Sequence, residues 1–425
     1  MAGERTKRYH GLRGGRETGY GVYRELELWT GCEDSAEDYQ GSAWQGRVEV
    51  DMRIAMFGQK RIPSREGGVE IVVEELSTRM AVLGHKVTCY NRRGHHVSGS
   101  QYDTFTEKEY KNVRIKTVPT IEKKGLAAVS SSFFAALCSL FGRYDVVHIH
   151  AEGPAAFCFI PKFFRKRVIV TVHGLDWQRE KWKSGFGAKY IHFGEKMAVK
   201  HADEIIVLSK GVQRYFMDTY GRETVFIPNG VNRPEIKSAD IINRRFGLSK
   251  DSYILYLGRI VPEKGEHYLI EAFKQIDTDK KLVIAGGSSD TDEYMDRLRK
   301  MAQGDERIMF TGFVQGQMLE ELYSNAYIYV LPSDLEGMPL SLLEAMSYGN
   351  CCLVSDIKEC TEVIEDKAEV FRKSDIDDLR TRLQELCDRE DLVQKYKKDA
   401  AEYICGRYDW NKIVDKTLEL YKGER

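Results

Sequence analysis

From Arg53 onward one rhythm governs the chain: a short apolar run, a loop often marked by glycine, a longer segment of helical spacing, then another apolar run. Arg53 to Phe57 (RIAMF), Lys86 to Tyr90, Asp145 to His150 (DVVHIH), Val168 to Gly174 (VIVTVHG), Glu204 to Ser209 (EIIVLS) and Val225 to Gly230 (VFIPNG) read as strands, most of them buried on both faces. Between them, VEIVVEELSTRMAVLG places Val69, Val72, Val73, Leu76, Met80 and Leu83 near one helical face, and further helices are expected at Leu126 to Phe141 and Ala188 to His201. Strands alternating with helices demand crossovers, and crossovers put helices on both faces of a parallel sheet. The pattern restarts at YILYLGRI (Tyr253 to Ile260). It continues through Lys281 to Gly287, Ile308 to Val314, Ile328 to Ser333, Cys351 to Ser355 and Ala368 to Phe371. Helices are expected between these strands at Glu266 to Ile276, Asp292 to Ala302 and Gln317 to Asn325, and two more end the chain, near Asp375 to Asp388 and after Leu392.

The expected fold is therefore α/β, with two doubly wound Rossmann-like domains, residues 52–230 and 253–425, facing each other across a cleft. Residues 231–252, polar and containing Asn, Pro and Lys, form the expected linker, and the last helix is available to pack back on the first domain. Ligands of such sheets bind outside the carboxyl ends of the strands, so the interdomain cleft is the expected site. Residues 1–51 differ: rich in Gly, Arg, Glu and Tyr, without an apolar period, they read as a poorly ordered or loosely packed extension, with a partner-binding arm as the functional alternative and Met52 as a candidate start.

Composition narrows the partners. A net charge of -1 does not fit a general nucleic-acid binder. The 9 Cys, odd in number and without a CxxC pair, fit a reducing cytoplasm better than a disulfide framework or a zinc site. No run reaches the roughly 20 apolar residues of a membrane span, and the start does not resemble an export signal.

The most informative stretch is DLEGMPLSLLEAMSYGN, Asp334 to Asn350. A helix is expected from Leu340 to Tyr348, ending at Gly349. Glu336 precedes it, Glu344 lies on it, and the open N–H groups of Leu340, Ser341 and Leu342 lie between them. An uncapped helix N-terminus attracts phosphate, and flanking carboxylates suit hydroxyl groups, so a nucleotide sugar fits; a capped surface helix with two solvated Glu fits as well. Arg259 and Lys264, in GRIVPEKG, end the first strand of the second half. They can neutralise a diphosphate without a metal, or form a solvated basic loop. Gly67 and Gly68 lie before a helix start, where backbone can approach a phosphate closely or simply bend. His173 ends a strand facing the expected cleft and can hydrogen-bond a reacting sugar, or be a satisfied structural histidine. His148 and His150 share a strand face, but no third ligand stands at metal-site spacing, so no metal is expected.

Seven segments stand in a familiar order: GGVE (Gly67 to Glu70), TVHGLDW (Thr171 to Trp177), VLSKGV (Val207 to Val212), IPNGVN (Ile227 to Asn232), GRIVPEKG, FTGFV and EGMPLSLLEAM. Together they resemble the family-4 glycosyltransferases, retaining enzymes of the GT-B fold, over roughly Met52 to the C-terminus. RIPSREGGVE and HGLDWQREKW look most like bacterial rhamnosyl- and related transferases of cell-surface polysaccharide assembly. The resemblance implies a nucleoside-diphosphate sugar as donor substrate and no cofactor. It implies that Arg259 and Lys264 hold the donor diphosphate, Glu344 the ribose hydroxyls and Glu336 the sugar hydroxyls. It also puts the Gly67–Gly68 loop over the phosphates, His173 beside the sugar, and Phe313 and Val314 by the base. Many relatives carry EGFGLP where this chain has EGMPLS.

The expected function is thus metal-independent transfer of a sugar, with retention, to a hydroxyl of a glycan or lipid-linked acceptor. Alternatives are a GT-B-fold nucleotide-sugar epimerase and a non-catalytic sugar-nucleotide-binding protein; a Rossmann oxidoreductase is disfavoured because GxGxxG is absent. PKFFRKR, Pro161 to Arg167, reads either as a peripheral contact with the cytoplasmic face of the membrane or as a turn with Phe163 and Phe164 in the core.

Overall fold

The computed structural model describes residues 51–96, 98–123, 125–179, 186–287 and 292–423. The expectation for residues 1–50 lies outside them. Two sheets carry the chain. The first consists of β1 (Arg53–Phe57), β2 (Lys86–Arg92), β3 (Glu109–Tyr110), β4 (Val113–Val118), β5 (Val146–His150), β6 (Arg167–Val172), β7 (Glu204–Val207) and β8 (Val225–Phe226). The second consists of β9 (Tyr253–Leu257), β10 (Lys281–Ala285), β11 (Ile308–Gly312), β12 (Ile328–Leu331), β13 (Cys351–Ser355) and β14 (Glu369–Phe371). Spatial order is β3-β4-β2-β1-β5-β6-β7-β8 in one and β11-β10-β9-β12-β13-β14 in the other. Every pairing is parallel except β3 with β4. Both orders reverse direction beside their first strand, between β1 and β5 and between β9 and β12. Crevices for ligands open at such switch points.

The strands lie where the apolar runs placed them because parallel strands are covered by helices on both faces and need an apolar side chain at nearly every position. Ile54, Ala55 and Met56 of β1, and Ile254, Leu255 and Tyr256 of β9, are fully enclosed. The antiparallel hairpin β3–β4 falls in a stretch that sequence assigned no strand. Only Val113, Ile115 and Val118 of β4 point inward, and the charged residues between them hide the apolar pattern.

The linker is not bare chain. It carries a helix, Ile241–Phe246, whose first turn is capped by Glu321: the carboxylate accepts from the backbone N–H of Asp240 and of Ile242, both at 3.0 Å. The chain end also differs from expectation. The segment after Leu392 holds one long helix, Glu390–Arg407, and then a separate one, Trp410–Lys422, started by Asp409, whose side chain accepts from the N–H groups of Asn411 and Lys412. That last helix lies against the first domain. Tyr421 Oη is 2.5 Å from His148 Nδ1 on β5, and Arg167 at the start of β6 donates to Leu420 O at 2.8 and 3.2 Å. One buried cluster accordingly runs from Ile54, Val73 and Met80 through Trp410, Ile413 and Leu418 to Leu342, Leu343 and Met346.

Candidate active site

The second domain supplies two loops at its switch point. β9 ends at Leu257, and the loop behind it carries Arg259 and, in a single turn Pro262–Lys264, Lys264. A buried network fixes this loop. Tyr256 Oη lies 3.0 Å from Arg259 O and 2.7 Å from Glu266 Oε1, while Tyr294 Oη donates to Glu266 Oε2 at 3.1 Å and Val261 N–H to Glu266 Oε1 at 3.4 Å. A phenol has one proton for those two acceptors. Burial raises the Glu266 carboxyl to about 7, with the hydrogen bonds from Tyr256 and Tyr294 opposing.

β12 leads into the second loop. There Glu336 accepts from Lys264 Nζ and, at 2.7 Å, from Ser333 Oγ. The helix Leu340–Ser347 starts after Pro339 with no side-chain cap. The N–H groups of Leu342 and Leu343 turn back to Pro339 O at 3.1 and 3.3 Å. Leu342 is therefore not open, against the sequence expectation; Leu340 and Ser341 N–H groups remain as the open ones. Glu344, one turn on, accepts from Tyr323 Oη at 3.1 Å and pairs with Arg65 of the first domain at 3.3 Å. Burial raises its carboxyl, with Arg65 and the Tyr323 hydrogen bond opposing.

The first domain meets these loops with backbone. His173 and Gly174 follow β6 and lie directly on Gly337. A Cβ added to Gly337 would sit 1.7 Å from His173 O, and one added to Gly174 would sit 3.0 Å from Gly337 Cα. No residue but glycine permits that approach. At the other end, a Cβ on Gly68 would lie 3.3 Å from Leu340 Cδ1, so the Gly67–Gly68 loop faces the start of the Leu340 helix. Asn229, of the IPNG segment, donates its backbone N–H to Met338 Sδ at 3.0 Å.

Between the two domains opens a small cleft. Gly174, Leu175 and Arg179 line it from one side, and Arg259, Glu263, Lys264, Leu335, Glu336 and Gly337 from the other. The structure thus brings Arg259, Lys264 and Glu336 together in one space, with Gly68, Leu340, Ser341 and Glu344 beside it along the same loop and helix. His173 adjoins through its carbonyl. Phe313 and Val314 follow β11 and do not line the cleft; Phe313 lies next to Gly287, whose added Cβ would be 3.6 Å from Phe313 Cβ.

The histidines form a buried row. His150 Nδ1 is 3.1 Å from His173 Nε2, His148 and His150 rings lie 4.1 Å apart, and His148 Nε2 is 2.7 Å from Thr171 Oγ1. Burial lowers His148 and His173 to about 3 and His150 well below its ordinary value, so all three are neutral near pH 7. A neutral His173 can hydrogen-bond a hydroxyl without adding charge. Among the described residues no group of three or more His, Cys, Asp or Glu is arranged to hold a metal ion.

Arg65, Arg179, Tyr323 and Glu266 were not singled out by sequence. Arg65 and Arg179 lie inside the RIPSREGGVE and HGLDWQREKW segments, and charge within those segments was the available signal.

With this geometry in view, the chain can be set beside known proteins. The profile of Glycosyltransferase Family 4 matches residues 66–233, and that of Glycosyl transferases group 1 matches residues 239–403. An uncharacterized glycosyltransferase of Methanocaldococcus jannaschii is 26% identical over 400 residues, covering 87% of this chain and 98% of the relative. The UDP-Gal:alpha-D-GlcNAc-diphosphoundecaprenol alpha-1,3-galactosyltransferase of Escherichia coli is 28% identical over 303 residues, covering 66% of this chain and 75% of the relative. Among solved structures, sucrose-phosphate synthase from Thermosynechococcus elongatus superposes with a TM-score of 0.73 at 21% identity, over 88% of this chain and 98% of the other, which establishes the shared fold.

The Gly337 contact can be tested alone. Gly337→Ala is expected to destabilise the protein by about 1–3 kcal/mol through overpacking and to part the domains, read as a larger radius of gyration in X-ray scattering. An unchanged radius with unchanged stability would mean that the two backbones are not held in contact.

Proposed function

The chain belongs to the family-4 glycosyltransferases of the GT-B fold, and from that premise we propose that it moves a sugar from a nucleoside-diphosphate sugar to a hydroxyl of a glycan or lipid-linked acceptor in cell-surface polysaccharide synthesis, with retention of configuration and without a metal. The observation that carries this reading is the convergence of Arg259 and Lys264 with Glu336 in one cleft, beside the open N-terminus of the Leu340–Ser347 helix. Leaving-group stabilisation is what the reaction needs most. The bond between the anomeric carbon and the diphosphate oxygen breaks, and negative charge grows on that oxygen. The two cations and the N–H groups of Leu340 and Ser341 supply countercharge and hydrogen bonds there, the work a divalent cation does elsewhere.

In this reading Glu336, held by Lys264 and Ser333, accepts from sugar hydroxyls, and Glu344 from ribose hydroxyls once Arg65 yields it. Retention follows if the acceptor hydroxyl attacks from the face the diphosphate leaves. Its oxygen bonds the anomeric carbon, and its proton passes to the departing phosphate oxygen. The close packing of the His173–Gly174 and Gly337 backbones would help keep water from competing as acceptor. The name of the Escherichia coli relative records a UDP-sugar and a diphosphoundecaprenol-linked sugar, which supports the same donor and acceptor classes here.

A contact with anionic membrane completes the reading. No described helix is long and apolar enough to cross a membrane. Phe163 is 82% exposed and Phe164 56%, so the alternative that buries them in a core is set aside. Three of the four basic residues of PKFFRKR have partners: Lys162 with Asp203, Lys166 with Tyr144 O, and Arg167 with Leu420 O. The aromatic pair and Arg165 therefore carry the contact, joined by exposed Phe141. These residues stand before β5 and β6, at the amino ends of the strands, a strand's length of roughly 17–20 Å from the cleft end. The patch would hold the body of the enzyme at the surface rather than pass acceptor directly into the cleft.

The donor reading is tested with UDP-, dTDP-, GDP- and ADP-sugars, following nucleotide release with and without lipid-linked acceptor, in the presence of a chelator. One donor is expected to turn over, and Arg259→Ala and Lys264→Ala each to cut the rate by roughly a hundredfold, about 3 kcal/mol, with the fold retained. Unchanged turnover in both variants would remove these residues from the diphosphate site.

Membrane contact is read by sedimentation with anionic vesicles at low salt. Wild type is expected to pellet, and the double variant Phe163→Ser, Phe164→Ser to stay in solution. Equal pelleting of the two would move the contact elsewhere.

A further inference from the structure

A third cation enters the cleft from the opposite domain. Behind β6 the chain runs through His173, Gly174 and Leu175 into a single turn, Asp176–Gln178, and reaches Arg179. The turn is anchored from beneath. Asp176 N–H donates to the buried Glu152 carboxylate at 2.9 Å, and Arg179 N–H closes on Asp176 O at 3.1 Å. The guanidinium is held by its Nε, 2.9 Å from Asp176 Oδ1. It lines the same cleft as Arg259 and Lys264, which come from the other domain.

Three cations in so small a space repel one another. Glu336 is taken up by Lys264 and Ser333, and among the described residues no carboxylate forms an ion pair with Arg259. Burial, and after it the like charge of Arg179, lowers the basicity of Arg259 against the opposing pull of Glu263, Glu70 and Asp176; Asp176 foremost raises that of Arg179, with burial opposing and Glu336 and Glu263 adding to the rise. Two guanidinium groups and an ammonium group that line one cleft form a site that suits a multivalent anion. We propose that Arg179 is a third cationic contact to the donor's diphosphate, delivered by the first domain and brought into range by the seating of Gly174 on Gly337. The proposal rests on the donor reading above. It adds that the diphosphate is gripped from both domains, so that its binding and the apposition of the domains favour each other.

Calorimetric binding of UDP, dTDP, GDP and ADP, and of the matching monophosphates, to the full chain tests this without turnover. For the diphosphate that wild type binds best, Arg179→Ala is expected to weaken binding at least tenfold. The matching monophosphate should lose much less, and Arg179→Lys should recover part of the loss. A purely structural role for the Asp176–Arg179 pair would instead lower the thermal midpoint and weaken both nucleotides alike, with Asp176→Asn reproducing the effect; that result overturns the proposal. If Arg259→Ala weakens the diphosphate and Arg179→Ala does not, the proposal fails while the donor reading stands. If wild type binds none of the four, both fail together.

Discussion

The contact of His173 and Gly174 with Gly337 sets the geometry of everything around it. Two sheets present their carboxyl ends to each other, and at this point their loops touch backbone to backbone, closer than any side chain allows. Glycine on both sides leaves peptide groups rather than side chains at the floor of the cleft. It brings the groups behind each loop, Arg179 on one side and Glu336 on the other, into one space. The last helix, Trp410–Lys422, reinforces the arrangement from behind by bonding Tyr421 to His148 and Leu420 to Arg167, so both domains share one buried cluster.

Electrostatics then assigns roles within the cleft. Cations that hold a diphosphate must keep their charge where water is scarce, and arginine does so more surely than lysine. The loop that presents Arg259 is fixed by Tyr256, whose hydroxyl reaches both Arg259 O and Glu266, a carboxyl that burial raises to about 7. His173, lowered by burial and next by Arg179, stays neutral. The cleft thus combines cationic side chains with an imidazole that serves as an uncharged hydrogen-bonding group. Glu344, paired with Arg65 of the first domain, is on the proposed reading the carboxylate that a nucleotide would have to win from that partner.

Much of this was legible in the residues. Strands such as Ile54–Met56 and Ile254–Tyr256 announce themselves because a parallel sheet covered on both faces leaves no polar positions. β4 did not, since its Arg114 and Lys116 break the run, and the helices Glu152–Ala155 and Phe159–Phe163 are too short to show a period. The break between the last two helices lacks glycine or proline and rests on Asp409 as a cap, a signal that is plain only once the helix start is known. Arg259, Lys264, Glu336 and Glu344 stood out because their spacing is local to one loop or helix start. Arg65 and Arg179 did not: Arg65 meets Glu344 across 279 residues of chain, and Arg179 meets Arg259 only because two glycines let the domains close. Such partnerships belong to the relative placement of two sheets, which no local pattern encodes.

On the proposed function a nucleoside-diphosphate sugar lies across the second domain's switch point, with its diphosphate between Arg259, Lys264 and the N-terminus of the Leu340–Ser347 helix. A crystal structure of the protein with the donor it turns over, or with that donor's nucleoside diphosphate, tests this most directly. Phosphate oxygens are expected within hydrogen-bond distance of Arg259, Lys264 and the N–H groups of Leu340 and Ser341, and ribose hydroxyls on Glu344 with Arg65 displaced. A nucleotide bound elsewhere, with Arg259 and Lys264 untouched, would contradict it.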